Sequence, residues 1–277
     1  MSNQELDKKQ KEISELQKTI VDLNSKLKES ESLKGNFISN IMNEVYNPFS
    51  SIISMADNII SLNENNIDKA KPMAEIIYRE AAQLDFHLKN IFTAATIEAG
   101  LENLENSRVS ITEIHKSVLH DFHYDINNKN ISIESNITDN QDIIFITDGK
   151  KLKLIMLNLL SNAIKNCPEN TSITVNYEYV EDRLNISILD QGKGISKEEM
   201  EMIFDRFKRI DTTINSVTGG TGLGLSVVKA LLEMLNGNID ISNEKGTKVL
   251  LCIPNQEINE NDDSFDDDAL LFDEELF

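Results

Sequence analysis

The chain has 277 residues, a formal net charge of −20 and a hydrophobic fraction of 40%. That length accommodates about two domains, and the apolar fraction is ordinary for a chain with a packed core. The acidic balance argues against nucleic acid or an anionic membrane surface as the main partner. No apolar run reaches the length of a membrane span and Met1 opens a polar stretch, so membrane insertion is not expected and the expected compartment is cytoplasmic. Cys167 and Cys252 make no metal or disulfide pattern; Cys167 reads as a partly buried reduced thiol.

Residues 1–34 read as a coiled coil. Leu6, Ile13, Ile20 and Leu27 share one heptad position, Leu16 and Leu23 the other, and Glu and Lys fill most flanking sites. So narrow a stripe needs a partner to bury it, which predicts a parallel homodimer. Residues 35–103 continue as a helical pair. The first helix runs to about Leu62 with Pro48 as an interruption expected to kink it, Asn63-Glu-Asn-Asn66 forms a polar turn, and the second helix spans about 68–99 with Gly100 as C-cap. Two such pairs on a coiled-coil dimer predict a four-helix bundle.

A different texture begins near Asn103 and defines a domain over 104–255. Ser110-Ile-Thr-Glu113 is a capping box opening a helix to about Asn128. Strands are expected at 131–137 and 142–147, a helix at 149–166, and a hairpin at 172–180 and 183–189 leading into Asp190. A helix follows Ser196, another covers about 222–235, and strands near 238–242 and 246–253 close the domain. This order predicts one sheet with helices covering a face. Residues 256–277 carry ten acidic and no basic residues and read as a disordered acidic tail, with Leu270-Leu-Phe272 and Leu276-Phe277 as a minority docking-peptide reading.

Four blocks carry the functional signal: Asn158-Leu-Leu-Ser-Asn162-Ala-Ile-Lys165, Asp190-Gln-Gly192-Lys-Gly194, Phe204-Asp-Arg206-Phe-Lys-Arg209 and Gly219-Gly-Thr-Gly222-Leu-Gly224. In this order they resemble the N, G1, F and G2 boxes of the sensor histidine kinase ATP-binding domain, of the GHKL superfamily. The resemblance implies an α+β chain: a helical coiled coil and dimeric four-helix bundle followed by an α/β sandwich ATP-binding (Bergerat) domain with a mobile lid. It departs mildly at Gln191, where asparagine is common.

The chemistry of the blocks fits ATP with Mg. Magnesium takes oxygen ligands and keeps waters, so the amide oxygen of Asn162 plus phosphates suffices. Asn158, one turn earlier, shares its face, and Lys165 reaches a phosphate. Asp190 at the end of an apolar strand accepts from the adenine amine, and Gly192 and Gly194 let the backbone pass close to the base. Gly220, Thr221, Gly222, Leu223 and Gly224 form the glycine-rich helix entrance, whose amides favour phosphate. Arg209 is a candidate γ-phosphate ligand.

The first helix carries Asn43-Glu44-Val45-Tyr46-Asn47-Pro48 where the family pattern has histidine, glutamate, an apolar residue, arginine, threonine or asparagine, and proline. Asn43 replaces the phospho-acceptor, and an amide nitrogen is not a nucleophile, so autokinase activity at this position is not expected. Glu44, at the family's general-base position, has no histidine to serve. His87, His115, His120 and His123 read as ordinary, partly exposed side chains. Asn47 occupies the place where related kinases orient a water against a phosphorylated response regulator. The expectation is therefore an ATP-binding two-component protein that acts as a response-regulator phosphatase or phosphorylates a partner in trans. The alternative is a non-catalytic pseudokinase scaffold that uses ATP to control partner binding.

Overall fold

The computed structural model describes residues 3–137, 142–200, 203–204 and 222–257. Helix α1, Asn3–Ile60, runs without interruption through the predicted coiled-coil segment and past Pro48. A 3-10 turn, Glu64–Lys69, then reverses the chain into α2, Ala70–Glu98. Proline here does not end the helix, although it lacks a donor for the preceding turn. The far end of α2 closes as expected. Gly100 takes φ +67°, its amide donates to the Ile97 carbonyl, and the Leu101 amide reaches back to Thr96. These paired bonds satisfy carbonyls that the helix end leaves open.

The α/β unit contains β1 (Ser107–Ser110), α3 (Ile111–Asp121), α4 (His123–Asn128), β2 (Ser132–Ser135), β3 (Ile144–Thr147), α5 (Gly149–Asn166), β4 (Ser172–Val180) and β5 (Arg183–Leu189). It continues with α6 (Lys197–Met200), α7 (Gly224–Met234), β6 (Asn238–Asn243) and β7 (Thr247–Pro254). The main sheet has the order β2-β4-β5-β7-β6, with β2 parallel to β4 and the other neighbours antiparallel. Instead of one sheet there are two, because β1 pairs antiparallel with β3. With four residues, β1 is too short to display an alternating pattern in sequence.

One face of the main sheet forms the core. Ile173, Val175 and Tyr177 on β4, Leu184, Ile186 and Ile188 on β5, and Leu251 and Ile253 on β7 are buried at alternate positions. Helix α5 meets them with Leu152, Ile155, Met156, Leu159, Leu160 and Ile164, and α7 with Val227, Val228, Leu231 and Leu232. The expected helix at 110–128 divides at Phe122, which leaves helical geometry at φ −105° and ψ 10°. Its ring stands edge-on to Phe86 of α2, with centroids 6.4 Å apart. Arg79 lies over the Tyr124 ring at 4.8 Å, and Ile91, Ala94 and Ile97 of α2 pack against the same core. The helical pair is thus docked on the α/β unit through α2. Among the described residues no helix is long and apolar enough to cross a membrane.

Candidate functional site

The site grows from the ends of three elements. Strand β5 delivers Asp190, which is 5% exposed. Its Oδ1 accepts from the Gly192 amide at 2.7 Å and from the Thr247 amide at 3.0 Å, and its own amide donates to the Thr247 carbonyl. These bonds fix the carboxylate with no other described donor on Oδ2, the oxygen left to accept from an amine. A β-carbon on Gly192 would lie 2.8 Å from the Asn166 carbonyl and 2.9 Å from Asp190 Oδ1, so only glycine leaves this passage open. Gly194 has φ +76°, and Asn243 clamps the next residue: Ile195 donates to Asn243 Oδ1, and Asn243 Nδ2 donates to the Ile195 carbonyl.

Helix α5 brings the asparagines. Asp148 caps it by accepting from Lys151 N at 3.0 Å. Its last turn ends before Cys167-Pro168, where Lys129 Nζ donates to the carbonyls of Ile164, Lys165 and Cys167 at 2.7, 3.0 and 3.2 Å. A cation at a helix C-terminus complements both the open carbonyls and the dipole. Asn158 is 3% exposed and lies directly against Gly224, where an added β-carbon would be 2.6 Å from Asn158 Oδ1. The start of α7 and the asparagine face of α5 are therefore pressed together. Asn162 and Lys165 lie half-buried further along α5. Gly222 has φ +72° and Leu223 is fully buried beneath it. Phe204 is held over α7, with Lys229 Nζ 5.6 Å from its ring centroid. Arg209, Gly220 and Thr221 fall outside the described residues.

The helical pair contributes contacts absent from the sequence reading. Asn158 Nδ2 donates to Asn90 Oδ1 of α2 at 2.7 Å, as well as to the Leu154 carbonyl. One turn earlier on α2, His87 is 5% exposed and its Nδ1 lies 3.2 Å from Glu44 Oε2. Burial, aided by the charge of Lys165, lowers the His87 pKa to about 4. His115 is likewise buried, with Nδ1 2.8 Å from the Tyr177 hydroxyl, and burial lowers its pKa and raises that of Tyr177. The expectation of ordinary, partly exposed histidines therefore fails for two of the four. Nothing local marked them, since both are buried by elements distant in sequence. Cys167 is also more buried than expected, at 2% exposure. Asn43 and Asn47 are both exposed on α1, whereas Glu44 turns inward.

A carboxylate at a strand end above a glycine passage thus stands beside an asparagine helix and a glycine-opened helix on one α/β sandwich. Residues 147–257 match the family model described as the histidine kinase-, DNA gyrase B- and HSP90-like ATPase. The chain is 30% identical over 227 residues to the hybrid signal transduction histidine kinase D of Dictyostelium discoideum, covering 80% of this chain and 14% of that protein. It is 27% identical over 234 residues to the autoinducer 2 sensor kinase/phosphatase LuxQ of Vibrio vulnificus, covering 82% of this chain and 27% of that protein. The chain thus spans less than a third of these relatives. The Acinetobacter baumannii histidine kinase AdeS shares the fold, with a TM-score of 0.53 at 20% identity over 78% of this chain and 98% of that one. The chain carries an ATP-binding domain of the histidine kinase type, preceded by a helical pair.

Proposed function

We propose that this chain works as a homodimeric, ATP-binding signalling protein that dephosphorylates a response regulator. The observation that carries the reading is the placement of Asn47: it is exposed on α1, one helical turn beyond Asn43, and so open to a partner. Its amide can hold a water in line with an aspartyl phosphate, a task of positioning that needs no histidine. The kinase/phosphatase in the name of the LuxQ relative is consistent with such an activity. In this reading Asn162 would hold Mg, Asp190 the adenine amine, and Lys165, Arg209 and the amides around Gly220, Thr221 and Gly222 the phosphates. Phosphorylation of a partner's histidine in trans would use the same nucleotide site.

Asn47→Ala should slow dephosphorylation of the cognate regulator by roughly 10- to 100-fold while leaving ATP affinity and dimerisation unchanged. Equal rates in the two proteins would remove Asn47 from the reaction. A second reading, the scaffold whose partner binding follows nucleotide state, draws on the Asn90–Asn158 hydrogen bond, which ties α2 to the nucleotide site. If the unmodified chain leaves the regulator's lifetime unaltered, that reading takes precedence.

A further inference from the structure

Helix α5 ends in a turn that its own backbone cannot close. Pro168 follows Cys167, and a proline has no N–H to give the Ile164 carbonyl, the acceptor four residues back. The Asn170 amide, which a longer helix would direct to Asn166, donates instead to the Lys129 carbonyl at 2.9 Å. One side chain supplies the missing donors. Lys129 Nζ lies 2.7 Å from the Ile164 carbonyl oxygen, 3.0 Å from that of Lys165 and 3.2 Å from that of Cys167. We propose that Lys129 is a positioning residue of the nucleotide site, a built-in cation that holds the end of α5 in the shape ATP binding requires.

The turn that Lys129 clamps carries parts of that site. Lys165, the proposed phosphate ligand, lies within it, and its own carbonyl is one of the three acceptors. The neighbouring Asn166 carbonyl is the atom that a β-carbon on Gly192 would meet at 2.8 Å, so the end of α5 walls the glycine passage beside Asp190. Asn166 Nδ2 also donates to the Asn162 carbonyl at 2.8 Å, which ties the turn to the proposed magnesium ligand. If the turn frays, Lys165 loses its place and the passage loses its wall. Lys129 itself is anchored from another part of the chain, its amide donating to the Asp125 carbonyl at 3.1 Å. The distances from Nζ are those of N–H donors to carbonyl oxygens, and all exceed the roughly 2.0–2.6 Å at which magnesium or calcium binds oxygen. The cradle therefore suits an ammonium group, whose three protons match the three oxygens.

The inference rests on the ATP-binding reading, so the test measures both. The full chain and its variants are titrated with a fluorescent ATP analogue at constant ionic strength, each checked as folded by circular dichroism. The unmodified chain should bind. Lys129→Ala should bind about tenfold more weakly or worse, and ethylammonium, which replaces the lost stem and donors, should restore the affinity with a saturable dependence. Tetramethylammonium has the same charge but no N–H and should restore nothing. Lys129→Met, whose stem fills the space, should lose affinity without being rescued, and Lys129→Arg should stay within a few-fold of the unmodified chain. Should Lys129→Ala not fold, the contrast between Lys129→Met and Lys129→Arg decides. Full affinity in Lys129→Met, whatever its loss of stability, makes the cap purely structural and overturns the inference while leaving the ATP-binding reading intact. Equal rescue of a folded Lys129→Ala by both ammonium ions, or rescue by neither, also overturns it. Absence of nucleotide binding in the unmodified chain overturns both.

Discussion

Gly246 was not among the residues expected at the site, yet its backbone lies directly against that of Asp190. It takes φ +153°, and a β-carbon there would collide with the Asp190 carbonyl, a backbone atom that cannot swing away. Gly246→Ala should lower stability by about 2–3 kcal/mol, the cost of overpacking added to an unfavourable backbone conformation. Urea denaturation measures this, and an unchanged midpoint would mean that the turn around Asp190 is seated differently. A second prediction concerns His87. Its pKa is about 4 in the folded chain against an ordinary 6.5, so between those values the unfolded chain binds more protons. Stability is thus fully present above pH 6.5 and declines as pH falls toward 4, by about 3 kcal/mol for a shift of this size. Urea midpoints across pH 4–7 should show this slope, and His87→Gln should flatten it. Equal slopes in the two proteins would show that His87 is not buried in its neutral form.

At the scale of elements, α5 is secured at both ends by side chains of different kinds. Asp148 at its start is a local device, visible as an Asp followed by a helical pattern. Lys129 at its end is non-local, reaching three carbonyls 35 to 38 residues away. Lys129→Met keeps the stem but removes a charged donor from partly buried acceptors. The expected loss is about 1.5–3 kcal/mol, read from thermal or urea unfolding. A loss below a few tenths would mean that water satisfies those carbonyls equally well. The hairpin at 172–180 and 183–189 and the helix at 149–166 were legible in full, because their alternation and 3.6-residue spacing are local properties. The break at Phe122 was not, since the residues on both sides remain good helix formers and the ring turns toward another helix.

Across the whole molecule, α1 and α2 expose a series of large apolar side chains that the single chain does not cover. Leu16, Ile20 and Leu23 are 55–58% exposed, and Met42, Tyr46, Phe49 and Ile53 continue the apolar surface along α1. A second copy of the helical pair is the occupant the proposed homodimer requires. Removing residues 1–34 should weaken the dimer by at least tenfold, because the bundle would lose its heptad seam. Sedimentation across a concentration series measures the change. An intact chain that remains monomeric at micromolar concentration would overturn the dimer.

The sequence by itself determined the α+β class, most of the helices and strands, and the four blocks that resemble those of the histidine kinase ATP-binding domain. Each rests on local spacing, on glycine where the backbone needs it, or on the chemistry a side chain can perform. Chemistry alone also removes Asn43 as a nucleophile. Tertiary structure decided which distant groups meet: Thr247 with Asp190, Asn243 with the turn at Gly194, Asn90 with Asn158, and His87 with Glu44. Such pairs leave no periodic trace, because burial and hydrogen bonding between remote segments depend on how helices and sheet pack rather than on neighbours along the chain.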